Sequence, residues 1–496
     1  MNLREKTGVI IMPINDAKII KIKHETLYQV AKLAFEGKLE SEKDNLPFKI
    51  IPGPVAHYRC CIYKEREVTR QRIRLAQGLC PGAEESDNVV QVISSACEGC
   101  PISKYTVTDN CQNCMGKACI EACHFNAITP GTTRSHIDTQ KCRECGKCAH
   151  ACPYNAIAEM IRPCIKSCPV GAISVDVDVA GIAKIDESKC IECGQCIHSC
   201  PFGAISSKSY IIQVINAIRN GKKVYAMLAP SAEGQFGEDI TMQSWKDALK
   251  KVGFEDLIEL GLGGDYTAYN EAQEWIEAHK EGKKMTTSCC PAFVNMVKKH
   301  FPQLVDNIST TVSPMVAVSR KLKAEDPDCI TVFIGPCIAK KSESKDSSIE
   351  GNADYALTFG EIRAIMKAKE VKLLPAENTS QEASVFGKRF GNSGGVTAAV
   401  LESAKELGFE EELSVCKCDG AAECKKALQL MKLGRLPQDF VEGMACVGGC
   451  VGGPSQHMDE RSSKKARDKL ISQADDRNIS ENLDKMYTKD FSMHRS

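Results

Sequence analysis

Five cysteines in the last two-fifths of the chain have the residue types and spacings of metal ligands. They lie in three short segments, which read Thr-Ser-Cys-Cys-Pro at 287–291, Gly-Pro-Cys-Ile-Ala-Lys-Lys at 335–341 and Gly-Met-Ala-Cys-Val-Gly-Gly-Cys-Val-Gly-Gly at 443–453. Four thiolates suffice to hold one iron–sulfur cubane, because soft sulfur ligands select such clusters. The fifth thiol is then free to carry protons, which predicts a metal-centred redox site with a proton carrier beside it.

A dense run of ferredoxin-type cysteines lies upstream and predicts an electron relay. Two segments have the bacterial ferredoxin spacing Cys-x2-Cys-x2-Cys-x3-Cys-Pro, and a third is a loosened version followed by His124. The two regular runs are Cys142, Cys145, Cys148, Cys152 and Cys190, Cys193, Cys196, Cys200, and the loosened run is Cys111, Cys114, Cys119, Cys123. A lone Cys-x2-Cys would more simply be a zinc knuckle, but tandem half-motifs with Cys-Pro endings favour cubanes.

The pairing of these half-motifs follows from the crossover rule, in which the fourth cysteine of a run ligates the neighbouring cluster. Three cubanes result, held by Cys111, Cys114, Cys119 with Cys152, by Cys142, Cys145, Cys148 with Cys123, and by Cys190, Cys193, Cys196 with Cys168. The segment Cys-x3-Cys-Pro at 164–169 reads as a truncated half-motif.

Two cysteines, Cys164 and Cys200, are left over by this pairing. The upstream pair Cys97 and Cys100 could join them to hold a fourth cubane. The alternative is that Cys164 and Cys200 are ordinary buried thiols, and the sequence leaves both readings open.

Composition excludes several classes of function. The 496 residues contain 64 basic and 64 acidic side chains, so the basic surplus typical of nucleic-acid binding is missing. No apolar run approaches the ~18 residues of a membrane span, and the first residues lack a signal-peptide core, so we expect a cytoplasmic protein. The 28 cysteines fall into metal-type clusters rather than a disulfide frame, and they predict a strongly reducing, anaerobic setting.

Composition along the chain predicts four regions. They are an N-terminal region of open role at 1–95, a ferredoxin-like iron–sulfur domain at 96–208, an α/β domain at 209–455 and a polar tail at 456–496. In the α/β domain, predicted strands end directly before three segments with candidate site residues. The strand at 223–228 ends before Ala-Pro-Ser at 229–231, the strand at 284–287 before the Cys289–Cys290 pair, and the strand at 330–334 before Gly-Pro-Cys at 335–337. Sites in open α/β sheets lie at such strand ends. The tail is expected to form a surface helix and a loose end. Cys416, Cys418 and Cys424 have a poor metal spacing, and we interpret them as ordinary thiols.

The three chemical segments together resemble the signature loops of the iron-only (FeFe) hydrogenases, and the loop at 287–293 resembles the group B branch. The resemblance covers residues 209 to about 455 and implies an α/β catalytic domain with two lobes around the active-site cluster, preceded by a ferredoxin-like α+β array. In that family a 4Fe–4S cubane is bridged to a two-iron unit carrying carbonyl, cyanide and a dithiolate, together called the H-cluster. By position, Cys290, Cys337, Cys446 and Cys450 would hold the cubane, with Cys450 as the bridge.

The same resemblance implies a proton route. Cys289 matches the proton-delivering thiol of the family, and Glu271, Glu274 and Ser309 match its channel. Glu271 and Glu274 are three residues apart on a predicted helix around 270–278, hence on one face. Carboxyl, hydroxyl and thiol groups each donate and accept, which suits a relay. A solvated helix face is the plainer alternative for the two glutamates.

Further positions match contacts to the two-iron unit. Lys340 matches a lysine that hydrogen-bonds one cyanide, whereas a surface lysine is the alternative, as for Lys341. The role of Glu343 is left open. The other matches to contacts around the cluster are Pro230, Ser231 and Met444. Gly335, Met315 and Phe293 depart from the better-known members, which have methionine, glutamine and tryptophan there.

The resemblance implies reversible interconversion of hydrogen with protons and electrons. A soluble ferredoxin is the expected redox partner, and maturation proteins would be needed to build the two-iron unit; no nucleic-acid or membrane partner is expected. An iron–sulfur assembly protein is a competing reading, although retention of Cys289, Glu271, Ser309 and Lys340 speaks against it. Hydrogen sensing with little turnover is another, weakened because no output module is visible.

Overall fold

The structure is a computed structural model that describes residues 18–101, 103–176, 181–378, 381–411, 413–486 and 489–495. Within these ranges the chain forms a helical N-terminal region, a cysteine-rich array of small strands and an α/β domain. No helix in these described ranges has the length and apolar character needed to cross a bilayer.

Four helices form the described part of the N-terminal region, and two of them are longer than two turns. They are α1 (Lys18–Glu36), α2 (Leu39–Glu42), α3 (Leu46–Ile50) and α4 (Ile62–Ala76). α1 packs on α4 and also reaches the α/β domain, where Val30, Ala31 and Leu33 enter its largest hydrophobic core. The region is therefore attached to both of the other parts rather than folding apart from them.

The cysteine-rich array consists of short elements that bury only small cores. They are β1 (Val90–Val92), β2 (Tyr105–Val107), α5 (Ala118–Glu121), β3 (Ile128–Thr129), β4 (His136–Ile137), α6 (Lys147–Ala151), β5 (Ile157–Glu159), α7 (Pro163–Lys166), β6 (Ile173–Asp176), β7 (Ile182–Ile185), α8 (Gln195–Ser199) and β8 (Ile205–Ser207). Cysteines belong to its two small cores, Cys119 and Cys148 in one and Cys164 and Cys196 in the other. Thiols thus take the place that aliphatic side chains have in an ordinary core.

Strand pairing divides the array into an inner and an outer unit. β2 pairs with β5 and β3 with β4, which closes an inner unit over residues 104–160. β1 pairs with β8 and β6 with β7, so the outer unit is made of chain from both sides of the inner one. The inner unit therefore interrupts the outer one: Cys97 and Cys100 lie before the insertion, and the segment at 164–169 lies after it.

The α/β domain contains two parallel sheets. Its elements are α9 (Ile211–Arg219), β9 (Val224–Leu228), α10 (Met242–Val252), β10 (Asp256–Glu259), α11 (Gly261–Lys280), β11 (Met285–Thr286), α12 (Pro291–His300), α13 (Pro314–Glu325), β12 (Ile330–Gly335), α14 (Ala339–Glu343), β13 (Tyr355–Thr358), α15 (Phe359–Ala368), α16 (Val385–Arg389), α17 (Gly395–Glu406), β14 (Val415–Asp419), α18 (Ala421–Lys432) and β15 (Phe440–Met444). One sheet has the order β10-β9-β12-β13 and the other β11-β15-β14. All pairings within them are parallel, so the carboxyl ends of each sheet's strands lie at one edge.

The C-terminal region returns to the α/β domain. After α19 (Glu460–Ile471) and α20 (Ile479–Met486), the last described residues run beside the turn at 309–312. The amide of Val312 donates to the carbonyl of Met493 (2.8 Å), and Thr311 forms an antiparallel bridge with His494. The expected surface helix is present, but the expected loose end is wrong, because Met493 is buried and its neighbours are held by backbone hydrogen bonds.

Candidate iron–sulfur and proton-transfer site

Four thiols converge where strands of both sheets end. Cys290 is the N-cap of α12, which follows β11, and Cys337 comes two residues after β12. Cys446 comes two residues after β15, and Cys450 begins a short 3-10 helix at 450–452. The sheets therefore bring together ligands that are up to 160 positions apart in the sequence.

The four cysteines are partly buried and lie close enough together for their charges to affect one another. Burial first, and then the thiolates of Cys337, Cys290 and Cys450, raise the pKa of Cys446 well above its ordinary value. Burial and the same neighbours raise the pKa of Cys450 to about 12. Burial and Cys290 raise that of Cys337 to about 11, against a lowering by Lys340. A set of four crowded thiols is costly to ionise without a cation, whereas bound iron would stabilise all four thiolates.

Two glycines shape the loop between the last two cysteines. Gly448 and Gly449 have φ values of 78° and 77°, a region that favours glycine. A Cβ on Gly449 would lie 2.6 Å from the amide nitrogen of Ser393, so a side chain there would collide with backbone. The backbone between Cys446 and Cys450 therefore requires glycine at 448 and 449.

Cys289 lies beside this quartet but on the side of a buried carboxyl. Burial first, and then the charges of Glu271, Cys290 and Cys450, raise the pKa of its thiol well above the ordinary value. Glu271 lies on α11 and accepts hydrogen bonds at Oε1 from the amide (3.0 Å) and hydroxyl (3.3 Å) of Ser288. Its Oε2 is buried and has no hydrogen-bond partner in the described part of the chain.

Burial is the main cause of the raised pKa of Glu271. It raises the pKa of this carboxyl to about 8, with a further rise from Glu274, against lowering by hydrogen bonds from Ser288 and Ser309. Glu271 is therefore a neutral acid at pH 7, able to donate a proton. The alternative of a solvated helix face is wrong for Glu271, which is fully buried, whereas Glu274 is partly exposed.

Glu274 is held by hydroxyl groups and by a residue from the end of the chain. Thr311 Oγ1 donates to its Oε1 (3.2 Å), as does the hydroxyl of Thr310, and the amide of Thr310 donates to its Oε2 (3.1 Å). His494 Nδ1 lies 3.1 Å from Oε1. The Ser309 hydroxyl lies near Glu271 and accepts from the amide of Thr311 (3.1 Å), so the turn at 309–311 lies between the two glutamates.

The lysine pair at 340–341 is buried, and its two members have different partners. Lys340 Nζ donates to Ser313 Oγ (2.8 Å) and lies 3.4 Å from the carbonyl of Cys289, and it also pairs with Glu343. Lys341 pairs with Glu361 (2.6 Å) and donates to the carbonyl of Lys208 (2.7 Å). The surface-lysine alternative is therefore wrong for both, and Lys341 joins the α/β domain to the array.

Several polar groups near the quartet have no protein partner, which is what a further bound group would require. Ser231 is buried in the 3-10 helix Pro230–Ala232, and its hydroxyl has no hydrogen-bond partner among the described residues. Oε1 of Glu343 is also buried and has no hydrogen-bond partner among the described residues. Met444 ends β15 and is buried. Together with the four thiols, these residues fit a large iron–sulfur group carrying hydrogen-bond acceptors.

Each of the three sets of cysteines expected to hold accessory cubanes lines a cavity of its own. The sets are Cys111, Cys114, Cys119, Cys152, then Cys123, Cys142, Cys145, Cys148, then Cys168, Cys190, Cys193, Cys196. These are the groupings that the crossover spacing predicts. Backbone amides point at several of the sulfurs, as Ala156 N does at Cys152 Sγ (3.3 Å) and Ala172 N at Cys168 Sγ (3.2 Å).

The third of these cavities adjoins the quartet. Cys193 is close enough to Cys290 and Cys446 for their charges to affect one another's ionisation. Gln195 Nε2 reaches Cys446 Sγ at 3.7 Å, joining the two sites directly. The proximal set of Cys168, Cys190, Cys193 and Cys196 is thus the point where electrons would reach the quartet.

Three thiols outside these sets also lie together. Cys416 Sγ and Cys418 Sγ, on one face of β14, are 3.9 Å apart, and Cys424 on α18 hydrogen-bonds Cys418. Cys424 Sγ also donates to the carbonyl of Met444 (3.5 Å). No group of three or more His, Cys, Asp or Glu side chains in the described ranges is arranged to hold a single metal ion. Their interpretation as ordinary thiols stays a prediction.

Sequence reasoning missed Ser288, Thr311, His494 and Gln195. The first two lie inside or beside segments already singled out, and the run of three hydroxyl residues at 309–311 was the available signal. No local pattern marks His494, because its place beside Glu274 depends on the path of the C-terminal region.

Family comparisons agree with this arrangement. The family described as iron only hydrogenase large subunit, C-terminal domain, matches residues 222–454, and the 4Fe-4S binding domain matches residues 135–158 and 183–206. The two matches cover the α/β domain with its quartet and both regular ferredoxin runs.

Curated relatives include hydrogenases and assembly factors. Iron hydrogenase 1 of Clostridium pasteurianum is 28% identical over 389 residues, which are 68% of this chain and 67% of that protein. The periplasmic Fe hydrogenase large subunit of Nitratidesulfovibrio vulgaris is 27% identical over 306 residues, 50% of this chain and 72% of that one. Cytosolic iron-sulfur assembly component 3 of Rattus norvegicus is 23% identical over 281 residues, 46% and 59% of the two chains.

Among solved structures, the FeFe-hydrogenase HydA1 of Chlamydomonas reinhardtii aligns with a TM-score of 0.45 at 23% identity, over 54% of this chain and 90% of that one. The fold and the site together define the class: a redox protein in which an iron–sulfur array adjoins an α/β domain with a cysteine quartet. Residues 222–454 match the iron-only hydrogenase family model, so this part of the chain is iron-only hydrogenase-like. These relatives do not assign a branch, so membership of group B stays a prediction.

Proposed function

We propose that this protein interconverts molecular hydrogen with protons and electrons at a six-iron H-cluster. Cys290, Cys337, Cys446 and Cys450 hold its cubane, and Cys450 bridges to the two-iron unit. When bound, that centre supplies the redox chemistry of hydrogen. Ser231, whose buried hydroxyl has no other partner, and Lys340 would hold its cyanide groups, with Pro230 and Met444 packed around them.

The single observation that supports turnover is the chain of proton-carrying groups ending at Cys289. Glu274 takes a proton at the surface, where its side chain keeps 17% exposure. The Thr311 hydroxyl donates to Glu274, and the Thr311 amide donates to the Ser309 hydroxyl beside Glu271. A proton passes from Glu274 by way of Ser309 to Glu271 and then to the Cys289 thiol. Each group in this order both donates and accepts, and burial of Glu271 holds its acidity near neutral pH.

Electrons take a separate path on the other side of the quartet. The proximal set of Cys168, Cys190, Cys193 and Cys196 adjoins Cys290 and Cys446, and the inner unit holds two further cubanes. A soluble ferredoxin is the proposed partner, because the array is itself of ferredoxin type. Maturation proteins would supply the two-iron unit. We propose a cytoplasmic location, although one relative is named periplasmic.

Infrared spectroscopy on protein matured anaerobically tests this function. Bands of metal-bound carbonyl and cyanide, together with hydrogen evolution from a reduced viologen dye, are expected. Iron-loaded protein with neither bands nor turnover after full maturation would contradict the proposal.

An iron–sulfur assembly role is the second candidate, because assembly factors are among the relatives. Such a role needs the cubanes but gives no reason for a proton chain from Glu274 to Cys289. Transfer of a cluster to an apo-ferredoxin, in the absence of the infrared bands, would support this candidate instead.

A further inference from the structure

The interrupted outer unit of the array contains four thiols that no accessory cubane described above uses. Cys97 and Cys100 lie before the inserted inner unit, and Cys164 lies directly after it. The two ends of the insertion are tied together, since Met160 N donates to Lys104 O (2.6 Å). Removing residues 102–162 in thought leaves the Cys-x2-Cys-x2-Cys-x3-Cys spacing of an ordinary ferredoxin half-motif, formed by Cys97, Cys100, Cys164 and Cys168.

Folding brings these thiols to Cys200, the fourth cysteine of the proximal run. Cys164 is close enough to Cys97, Cys100 and Cys200 for their charges to affect one another. Ala204 N donates to Cys200 Sγ and Ala183 N to Cys97 Sγ, both at 3.3 Å. The same amide-to-sulfur contact recurs at Cys152 and Cys168, which belong to the predicted cubanes, and hydrogen bonds to the sulfurs are usual at iron–sulfur clusters.

A buried cation without an anionic partner stands beside the same thiols. Arg72 on α4 is 7% exposed, and its Nη2 donates to the carbonyl of Gly203 (2.9 Å). Its Nε and Nη1 are buried and have no hydrogen-bond partner in the described ranges. Burial and the neighbouring Arg59 lower the pKa of Arg72, and among the described residues the charge that raises it is the thiolate of Cys200. Lys23 on α1 is also within electrostatic range of Cys200.

An unpaired buried guanidinium is strongly destabilising, because its loss of hydration is not repaid by a counter-ion. A cubane with four thiolate ligands carries net negative charge and offers sulfur acceptors. It would supply both the counter-charge and the partners that Arg72 lacks. The orphaned nitrogens and the unused thiols are independent observations that point to the same ligand.

We propose that Cys97, Cys100, Cys164 and Cys200 hold a fourth accessory 4Fe–4S cluster, and that the N-terminal helices α1 and α4 cap it with the charge of Arg72. The cap is fastened at the cluster loop, where Arg59 Nη2 donates to Phe202 O (2.8 Å) and Nη1 pairs with Glu98 (3.1 Å). This gives the N-terminal region a role that does not depend on hydrogen chemistry.

The position of the cluster makes it the link between the inner and outer units. The inner unit is joined to the rest of the chain beside Cys100 and Cys164, two of the proposed ligands. On the other side, Cys196 of the proximal set is within electrostatic range of Cys164. Electrons moving between the inner cubanes and the quartet would therefore pass through this cluster.

Iron counting on the full chain, reconstituted anaerobically with iron and sulfide but without the two-iron unit, tests the cluster. Five cubanes predict about twenty irons per chain, whereas four predict about sixteen. The double variant C97A/C164A should lose about four irons and one electron paramagnetic resonance signal of a reduced cluster. C329A, which removes a buried thiol of the α/β domain, is the matched control and should lose none. About sixteen irons in the wild type, or full iron in the double variant, overturns the proposal.

Redox titration of Arg72 variants tests the cap with all four ligands intact. Arg72→Gln removes the positive charge, so one cluster signal should titrate at a lower potential while the others stay unchanged. Arg72→Lys keeps the charge and should restore part of that shift. If no signal shifts in Arg72→Gln, the charge pairing is wrong. These readings come from unmatured protein, so they do not depend on whether the protein turns over hydrogen.

Discussion

The electron side and the proton side of the thiol quartet are built in different ways. On the electron side, sets of four cysteines surround cavities, and the conducting groups are clusters that the chain only holds. On the proton side, the conducting groups are the protein's own: a thiol, two carboxyls and the hydroxyls of the turn at 309–311. Removing one side chain therefore breaks the proton side directly, whereas it acts on the electron side through the loss of a cluster.

The largest effect is expected from Cys289→Ala, which removes the last proton carrier before the quartet. Turnover of hydrogen should fall by about 10²–10⁴-fold, the range that positioned proton transfer contributes. Iron content should be unchanged, because Cys289 is not a ligand in our assignment. Hydrogen evolution from reduced viologen and iron analysis measure the two quantities, with C329A as the control. Turnover close to wild type would contradict the proposed route.

Cys168→Ala should damage the electron side instead. It removes one ligand of the proximal cubane, so about four irons should be lost or one cluster signal altered. Turnover with reduced ferredoxin should fall far more than turnover with a small viologen dye, which does not need to enter through the array. Proton-side variants should lower both rates equally. An equal loss of turnover with ferredoxin and with viologen in Cys168→Ala would contradict the proposed electron path through the array.

Glu271→Gln should lower turnover by about 10²-fold and also change how stability depends on pH. Burial raises the pKa of Glu271 to about 8, above its ordinary value of 4.5, so the folded protein binds a proton that the unfolded chain has lost between those pH values. Its favourable contribution to the free energy of unfolding is complete below pH 4.5 and is lost as the pH rises through about 8. Glutamine cannot titrate, so the stability of Glu271→Gln relative to wild type should increase over that interval.

Chemical denaturation of both proteins across pH 5 to 9 measures this difference. The matched control is Glu277→Gln on the same helix, which should leave the pH dependence and turnover near those of the wild type. A parallel pH dependence in wild type and Glu271→Gln would show that this carboxyl titrates normally.

Sequence predicted the two sides unequally, and the reason is physical. Three of the four ligands of such a cluster come from one short segment. The grouping of Cys190, Cys193 and Cys196 could therefore be predicted from spacing alone. The fold class followed from strands that end at the chemical segments. The contact between Thr311 and Glu274 joins residues 37 positions apart, and no spacing rule predicts it. The place of Cys97 and Cys100 stayed open for a related reason, since an inserted unit separates Cys100 from Cys164 in the sequence although the two thiols lie within electrostatic range.

The smallest effect is expected from His494, an exposed residue that contacts Glu274. Its Nδ1 lies 2.9 Å from the Thr310 hydroxyl and 3.1 Å from Glu274, and its side chain is 54% exposed. An exposed imidazole can collect protons for Glu274, but water can also do so. His494→Ala should therefore lower turnover by less than about 10-fold.

A small buffer separates proton collection from a structural effect in His494→Ala. Added imidazole should restore the lost turnover if the side chain only collects protons, and it should not restore turnover in Cys289→Ala, where the break is internal. Failure of rescue, together with loss of the backbone bridge between Thr311 and residue 494 detected by hydrogen exchange, would mean that His494 holds the turn at 309–311 in place. In that case the C-terminal region would position the turn at 309–311 and would not deliver protons to Glu274.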